Sequence, residues 1–155
     1  MDNKHWIIRV SDGNNLRRSK YPFWGVKRAA GIKCIVERMK HGDILWFLTN
    51  KASGGKFVGM AQFTGFYDRQ DEPLVQINTF SNEEQGWLGD AEWDVQIHYK
   101  NFYNTERQDI KVLIQCPATI MSYETFKDRM PCNLYEHYIN FVYYAEPKEW
   151  EEIKI

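Results

Sequence analysis

The sequence predicts an α+β fold, a curved, mostly antiparallel sheet or small β-barrel of about five to seven strands flanked by three or four short helices. Three observations carry this. In WDVQIHYKNFY, Trp93, Val95, Ile97 and Tyr99 alternate with Asp94, Gln96, His98 and Lys100, the period of a half-buried strand. DILWFLT is a near-continuous apolar run, as in a strand buried on both faces, and KASGG then turns the chain into GKFVGMAQFTGFYDR to make a hairpin. Apolar residues recur at helical spacing only over short stretches, the longest being Val26, Ala29, Ala30, Ile32, Ile35, Val36 and Met39.

Taken in order, HWIIRV is a first strand, rich in residues of high strand propensity, and SDGNN ends it with turn formers. Asn14 or Asn15 is placed to cap a short helix through LRRSK, and the helix of about residues 26 to 39 follows. In the second arm of the hairpin, Gly59 and Gly65 mark a bulge or a close approach of backbone. From about Gln70 to Asp90 the chain is polar and weakly periodic, apart from a short strand at LVQINTF. DIKVLIQ reads as a further strand. Ser122 is placed to cap the helix YETFKDRM, YINFVYYAE closes the sheet, and PKEWEEIKI is a last helix begun by Pro147. Composition fits a barrel and an open sheet equally.

At 155 residues the chain is most simply one domain, residues 1–155. Three dispersed cysteines, Cys34, Cys116 and Cys132, suggest neither a disulfide framework nor a paired-cysteine zinc site, and a reducing intracellular setting fits them. No stretch approaches the roughly 18 apolar residues of a membrane span, so no membrane partner is expected. The net charge of −1 gives no overall field for nucleic acid, but basic residues crowd the first part of the chain, among them Arg9, Arg17, Arg18, Lys20, Lys27, Arg28 and Lys33, and would form a local basic face.

Catalytic signatures are sparse. There is no GxSxG elbow and no HExxH helix, the histidines His5, His41, His98 and His137 are scattered, and SGGKF lacks the spacing of a phosphate-binding loop. No metal and no cofactor is expected, and the chain reads as a binding protein rather than an enzyme. The acids Glu83, Glu84, Asp90, Glu92 and Asp94 crowd one stretch and describe a solvated loop better than a general acid or base. Two tryptophans stand out. Trp24 in YPFWGVKR and Trp87 in NEEQGWLGD sit in polar, turn-rich surroundings where an indole has no evident core to fill. Two such rings held on loops would sandwich a nucleobase, at about 1 to 3 kcal/mol of stacking per base. Burial for packing is the alternative for each, and the other tryptophans, Trp6, Trp46, Trp93 and Trp150, need no ligand.

The order of Trp24-Gly25-Val26-Lys27-Arg28, a helix, MKHGDILWFLTN, glycines and KFVGMAQF resembles the EVE domains. The initial strand with its Asn-rich turn, the tryptophan that follows, and Trp87 shortly before Trp93-Asp94-Val95 are similar to the YTH domains. The resemblance spans about residues 5 to 100 and implies the PUA-like superfold, used by both families to read modified bases. It implies that Trp24 and Trp87 are cage walls, and that Ser11, Asn14, Asn15 and the backbone of Gly25 and Val26 hydrogen-bond the base edge. Arg9, Lys27 and Arg28 are then expected to hold flanking phosphates. The expected partner is RNA or DNA with a modified, methylated base, an N6-methyladenine RNA foremost. The alternatives are an ASCH-like enzyme using Lys20 or Lys27 with Asp94 on RNA or a nucleoside, and a protein-interaction module anchored by the loop tryptophans.

Overall fold

The computed structural model describes residues 3–28, 34–68, 81–91, 93–108, 110–112, 118–130, 133–144 and 148. A six-stranded sheet dominates them. The strands are β1 (His5–Arg9), β2 (Phe23–Val26), β3 (Ile44–Leu48), β4 (Phe57–Asp68), β5 (Val95–Asn104) and β6 (Ile120–Ser122), in the spatial order β2-β5-β4-β3-β1-β6. All neighbours pair antiparallel except β1 and β3, which run parallel from His5 opposite Ile44 to Arg9 opposite Leu48. Short helices flank the sheet: α1 (Asn14–Arg18), α2 (Asn82–Gln85), α3 (Tyr123–Phe126) and α4 (Leu134–Tyr144). The α+β architecture is therefore as read from sequence, with β2 and β6 as open edges rather than a closed barrel.

Alternation divides the sheet's side chains into two cores. Trp6, Ile8, Leu45, Phe47, Phe63, Ile97 and Tyr99 lie on one face, together with Trp24 and Trp87. Ile7, Ile44, Trp46, Leu48, Phe57 and Met60 lie on the other, against Phe126 of α3 and Leu134 of α4. Every residue of β3 is buried, which is why ILWFL shows no polar alternation. Register shifts interrupt the β4–β5 ladder between Met60 and Gln62 and again between Phe63 and Gly65; such irregularities bend a strand and add twist. At Gly59 a Cβ would stand 2.4 Å from the Phe102 ring, so the sheet packs there only without a side chain. Both glycine expectations in this hairpin are met.

A buried carboxylate joins β1 to the start of β3. Asp43 is 3% exposed; its Oδ2 accepts from Trp6 Nε1 and from the Lys40 amide, both at 2.9 Å, and its Oδ1 accepts from the Lys4 amide at 3.1 Å.

Several expectations are corrected. Val26 ends β2 instead of opening a helix, because Phe23–Val26 pairs with β5, and the helical segment described in that region is Cys34–Arg38, with π-type turns. The part of YINFVYYAE that is described, residues 138–144, is helical within α4, not a closing strand. Aromatic and β-branched residues favour a strand there, but Leu134 packs into the second core and Asn133 Oδ1 accepts from the Tyr135 amide at the helix start, so tertiary packing overrides propensity. The α1 cap is Gly13 in a left-handed conformation, not Asn14 or Asn15. Ser122 precedes α3 without a side-chain capping bond, and α2 carries an unforeseen capping box between Ser81 and Glu84. Within DIKVLIQ the described part is 110–112, where Lys111 bridges Lys56. The strand read at LVQINTF lies outside the described residues, as does PKEWEEIKI apart from Lys148.

Asp43→Ala removes the acceptor of three donors at once. Leaving even one or two of these buried groups unsatisfied should cost about 2 to 4 kcal/mol, read as a lower urea midpoint with an unchanged slope.

Candidate functional site

The β2 edge and the far end of β1 line one cleft of about 340 Å³. It is bordered by Trp24, Gly25 and Val26 of β2 and the adjoining Lys27, by Arg9 and Ser11 at the end of β1, and by Asn50, Thr119 and Trp93. These strands stand far apart in the sheet order, so the sheet must curl for them to share a cavity. Six residues singled out in the sequence thus come together: Arg9, Ser11, Trp24, Gly25, Val26 and Lys27. Ser11 has a positive φ of 53°, uncommon for a residue with a side chain, and its carbonyl accepts from the Asn50 amide at 2.7 Å. That bond ties the β1 turn to the end of β3.

The two expected cage tryptophans do not face one another across a slot. Trp24 lies in a strand and Trp87 just after α2, and their ring centroids are 5.3 Å apart at an interplanar angle of 63°, an edge-to-face contact. A base sandwiched between parallel rings needs about 7 Å, twice the van der Waals contact of roughly 3.5 Å. Trp87 is 6% exposed and packs edge-on against Phe23 at 5.4 Å. Its Nε1 donates to Ser19 Oγ at 2.7 Å, and Ser19 Oγ donates in turn to the Asn15 carbonyl. The polar setting of Trp87 in the sequence therefore accompanies a packed indole whose N–H is satisfied.

The second indole of the cleft is Trp93, which the sequence reading assigned to packing. It is half-buried, stands two residues before β5 and packs against Gly25 of β2, on the opposite side of the pleat from Trp24 and Val26. Lys27 Nζ stands 5.4 Å above its ring centroid, a cation–π arrangement. Gly25 makes this approach feasible. A Cβ there would stand 2.6 Å from Cβ and Cγ of Trp93 and 3.1 Å from the Trp87 ring, so two indoles converge on one residue without a side chain. The alternation read from Trp93 to Tyr99 holds only from Val95, where β5 begins, so it did not mark Trp93 for the cleft; Asn50 and Thr119 carried no signal at all.

The remaining candidates stand elsewhere. Asn15 clamps the Trp87 loop, its Nδ2 donating to the Leu88 carbonyl at 3.1 Å and its Oδ1 accepting from the Leu88 amide at 2.8 Å. Asn14 bonds Asp12 and Arg17. The Arg28 guanidinium is engaged by the Asp68 carboxylate, which is 3% exposed. Of the acidic stretch, Glu83 and Asp90 border a neighbouring cavity of about 310 Å³ that shares Trp93 as a wall with the first, Glu84 completes the α2 capping box, and Asp94 accepts from the Arg28 amide. Glu92 lies outside the described residues. His98 stacks on Phe23, and burial lowers its pKa to about 4, which keeps it neutral. No group of three or more His, Cys, Asp or Glu among the described residues is placed to hold a metal, and no described helix is long and apolar enough to cross a membrane.

Gly25→Ala should force Trp93 off its position and cost about 1 to 3 kcal/mol, with a shift in tryptophan emission as the local readout. Arg28→Ala removes one partner of the buried Asp68 carboxylate and should lower stability by about 1 to 3 kcal/mol, while Lys27→Ala at an exposed position stays within about 0.5 kcal/mol; parallel denaturation curves of the two variants test the contrast.

No family model and no curated protein matches the chain. Among solved structures it is similar to a mutant ZmASCH protein from Zymomonas mobilis, at 11% identity and a TM-score of 0.45, covering 81% of this chain and 96% of that one. It is also similar to the YTH domain of Zygosaccharomyces rouxii MRB1 protein in complex with N6-methyladenosine RNA, at 12% identity and a TM-score of 0.41, covering 94% and 90%. A third is the Pho92 YTH domain in complex with m6A, at 15% identity and a TM-score of 0.38, covering 96% and 76%.

Proposed function

We propose that the chain binds single-stranded or flipped-out nucleic acid carrying a modified base, with RNA containing N6-methyladenine as the leading ligand, in the cleft between β2 and the end of β1. The observation that supports this reading is the meeting of Trp24, Trp93, Arg9 and Lys27 around one cavity. Indole faces offer stacking to any base, and the two cations suit the phosphates on either side of it. β2 is an edge strand, so part of its backbone at Trp24 to Val26 is turned from β5 toward the cleft and can hydrogen-bond a base edge. A methyl group on the base would displace water from the apolar surface of the indoles, and Ser11 and Asn50 supply polar contacts. Among the described residues the ionisable side chains lining the cleft are Arg9 and Lys27, which supports binding over a reaction that needs a carboxylate beside a lysine.

Trp93 is the residue on which to test this. Trp24 is 8% exposed, so Trp24→Ala would empty part of the core as well as remove a wall, whereas half-buried Trp93 can be truncated with less damage. Short RNA strands with one N6-methyladenine, and their plain counterparts, are titrated against wild type, Trp24→Phe, Trp93→Ala and Lys27→Ala. Wild type should prefer the methylated strand, Trp93→Ala should lose that preference, and Trp24→Phe should reduce it. Lys27→Ala should weaken both strands alike and lower the salt slope by about 1. Equal affinity of the wild-type protein for both strands would end the proposal.

A further inference from the structure

A further cavity lies on the other face of the sheet, at the start of β1. His5 is 4% exposed, and Trp46 Nε1 donates to its Nδ1 at 2.9 Å. An indole N–H can only donate, so Nδ1 must be unprotonated and the neutral ring carries its hydrogen on Nε2. Burial acts in the same direction, lowering the His5 pKa to about 4 against the opposing pull of Asp43 and Glu124. Tyr135 and Tyr138 of α4 meet the imidazole edge-on, with centroids at 4.7 and 5.2 Å. The Nε2–H meets no acceptor among the described residues. The ring borders a cavity of about 690 Å³ lined also by Lys4, Ile44, Glu124, Tyr138 and Ile139.

The donor opens on the cavity with no acceptor beside it among the described residues, so it is available to a molecule that enters there. The surroundings restrict what that is. Aromatic and aliphatic walls suit a flat ring. The donor is neutral, and the rim sets Lys4 against Glu124, so no net charge is selected. Glu124 accepts from the Tyr135 hydroxyl and, at 2.9 Å, from Lys127 Nζ, and a carboxylate retains lone pairs after two such bonds. We propose that this cavity is a second ligand site, which takes a small planar lactam, its carbonyl accepting from His5 Nε2–H, its ring N–H donating to Glu124, and its face lying against Tyr138 and Ile139. Uracil is the simplest ring with that edge. The site shares no residue with the Trp24 cleft, so it stands or falls separately from the function proposed there.

The test follows the His5 Nε2–H resonance of the ¹⁵N-labelled full chain at neutral pH during titration with uracil. A saturable shift is expected, with 1,3-dimethyluracil, which keeps both carbonyls but has no ring N–H, binding about tenfold more weakly. Substituting His5 would also break its bond to Trp46 and risks the fold, so the site is challenged at Tyr138→Ala and Ile139→Ser. Both should stay folded by circular dichroism and lose the shift, while Trp93→Ala should retain it. An unmoved His5 signal, equal binding of the dimethylated ring, or an undiminished shift in Tyr138→Ala would overturn the proposal.

Discussion

The parallel pairing of β1 with β3 is the unusual join in this sheet, since all other neighbours run antiparallel, and it depends on a carboxylate taken out of water. Asp43 receives an indole N–H from β1 and two backbone amides, one before β1 and one from the turn leading into β3. A charge at 3% exposure is tolerable only when its lone pairs are occupied in this way. The consequence is a fixed register for two strands whose residues are buried on both faces, where a slip by one residue would exchange the two cores. Both proposed sites draw on that pair. The far end of β1 delivers Arg9 and Ser11 to the cleft, and its near end holds His5 over the other cavity.

Curvature completes the cleft. Register shifts in the β4–β5 ladder bend the sheet until β2, at one edge, comes opposite the end of β1 near the other. The edge is then dressed with indoles, and the missing side chain at Gly25 allows Trp87 and Trp93 to approach the strand together. Trp87 belongs to the packed side of this arrangement and Trp93 to the accessible side. The Lys27 ammonium over the Trp93 ring joins a cation to an aromatic face at the rim, the combination suited to a charged strand with flat bases.

Much of the architecture was legible in the sequence because periodicity reports burial. ILWFL, buried on both faces, appears in the structure as read, the alternating run gives a strand from Val95 onward though Gln96 is buried with its apolar neighbours, and Gly59 and Gly65 mark a close approach and a register shift. The readings that failed did so where local preference and tertiary packing disagree. YINFVYYAE has the composition of a strand, yet residues 138–144 of it are helical because Leu134 has a core to enter, and Val26 fits a helical period yet pairs with β5.

For the site, the residue types determined the chemistry on offer: exposed cations near the start of the chain, glycine beside tryptophan, and a surplus of indoles. Spacing along the chain says nothing of interplanar angles, so whether Trp24 meets Trp87 face to face or edge to face, and whether Trp87 or Trp93 shares its cleft, was decided only when the sheet curled. Likewise Arg28 and Asn15 have the donors of ligand-binding residues, but folding placed Asp68 and Leu88 within their reach, and a side chain committed to the protein's own partners has fewer donors left for any other.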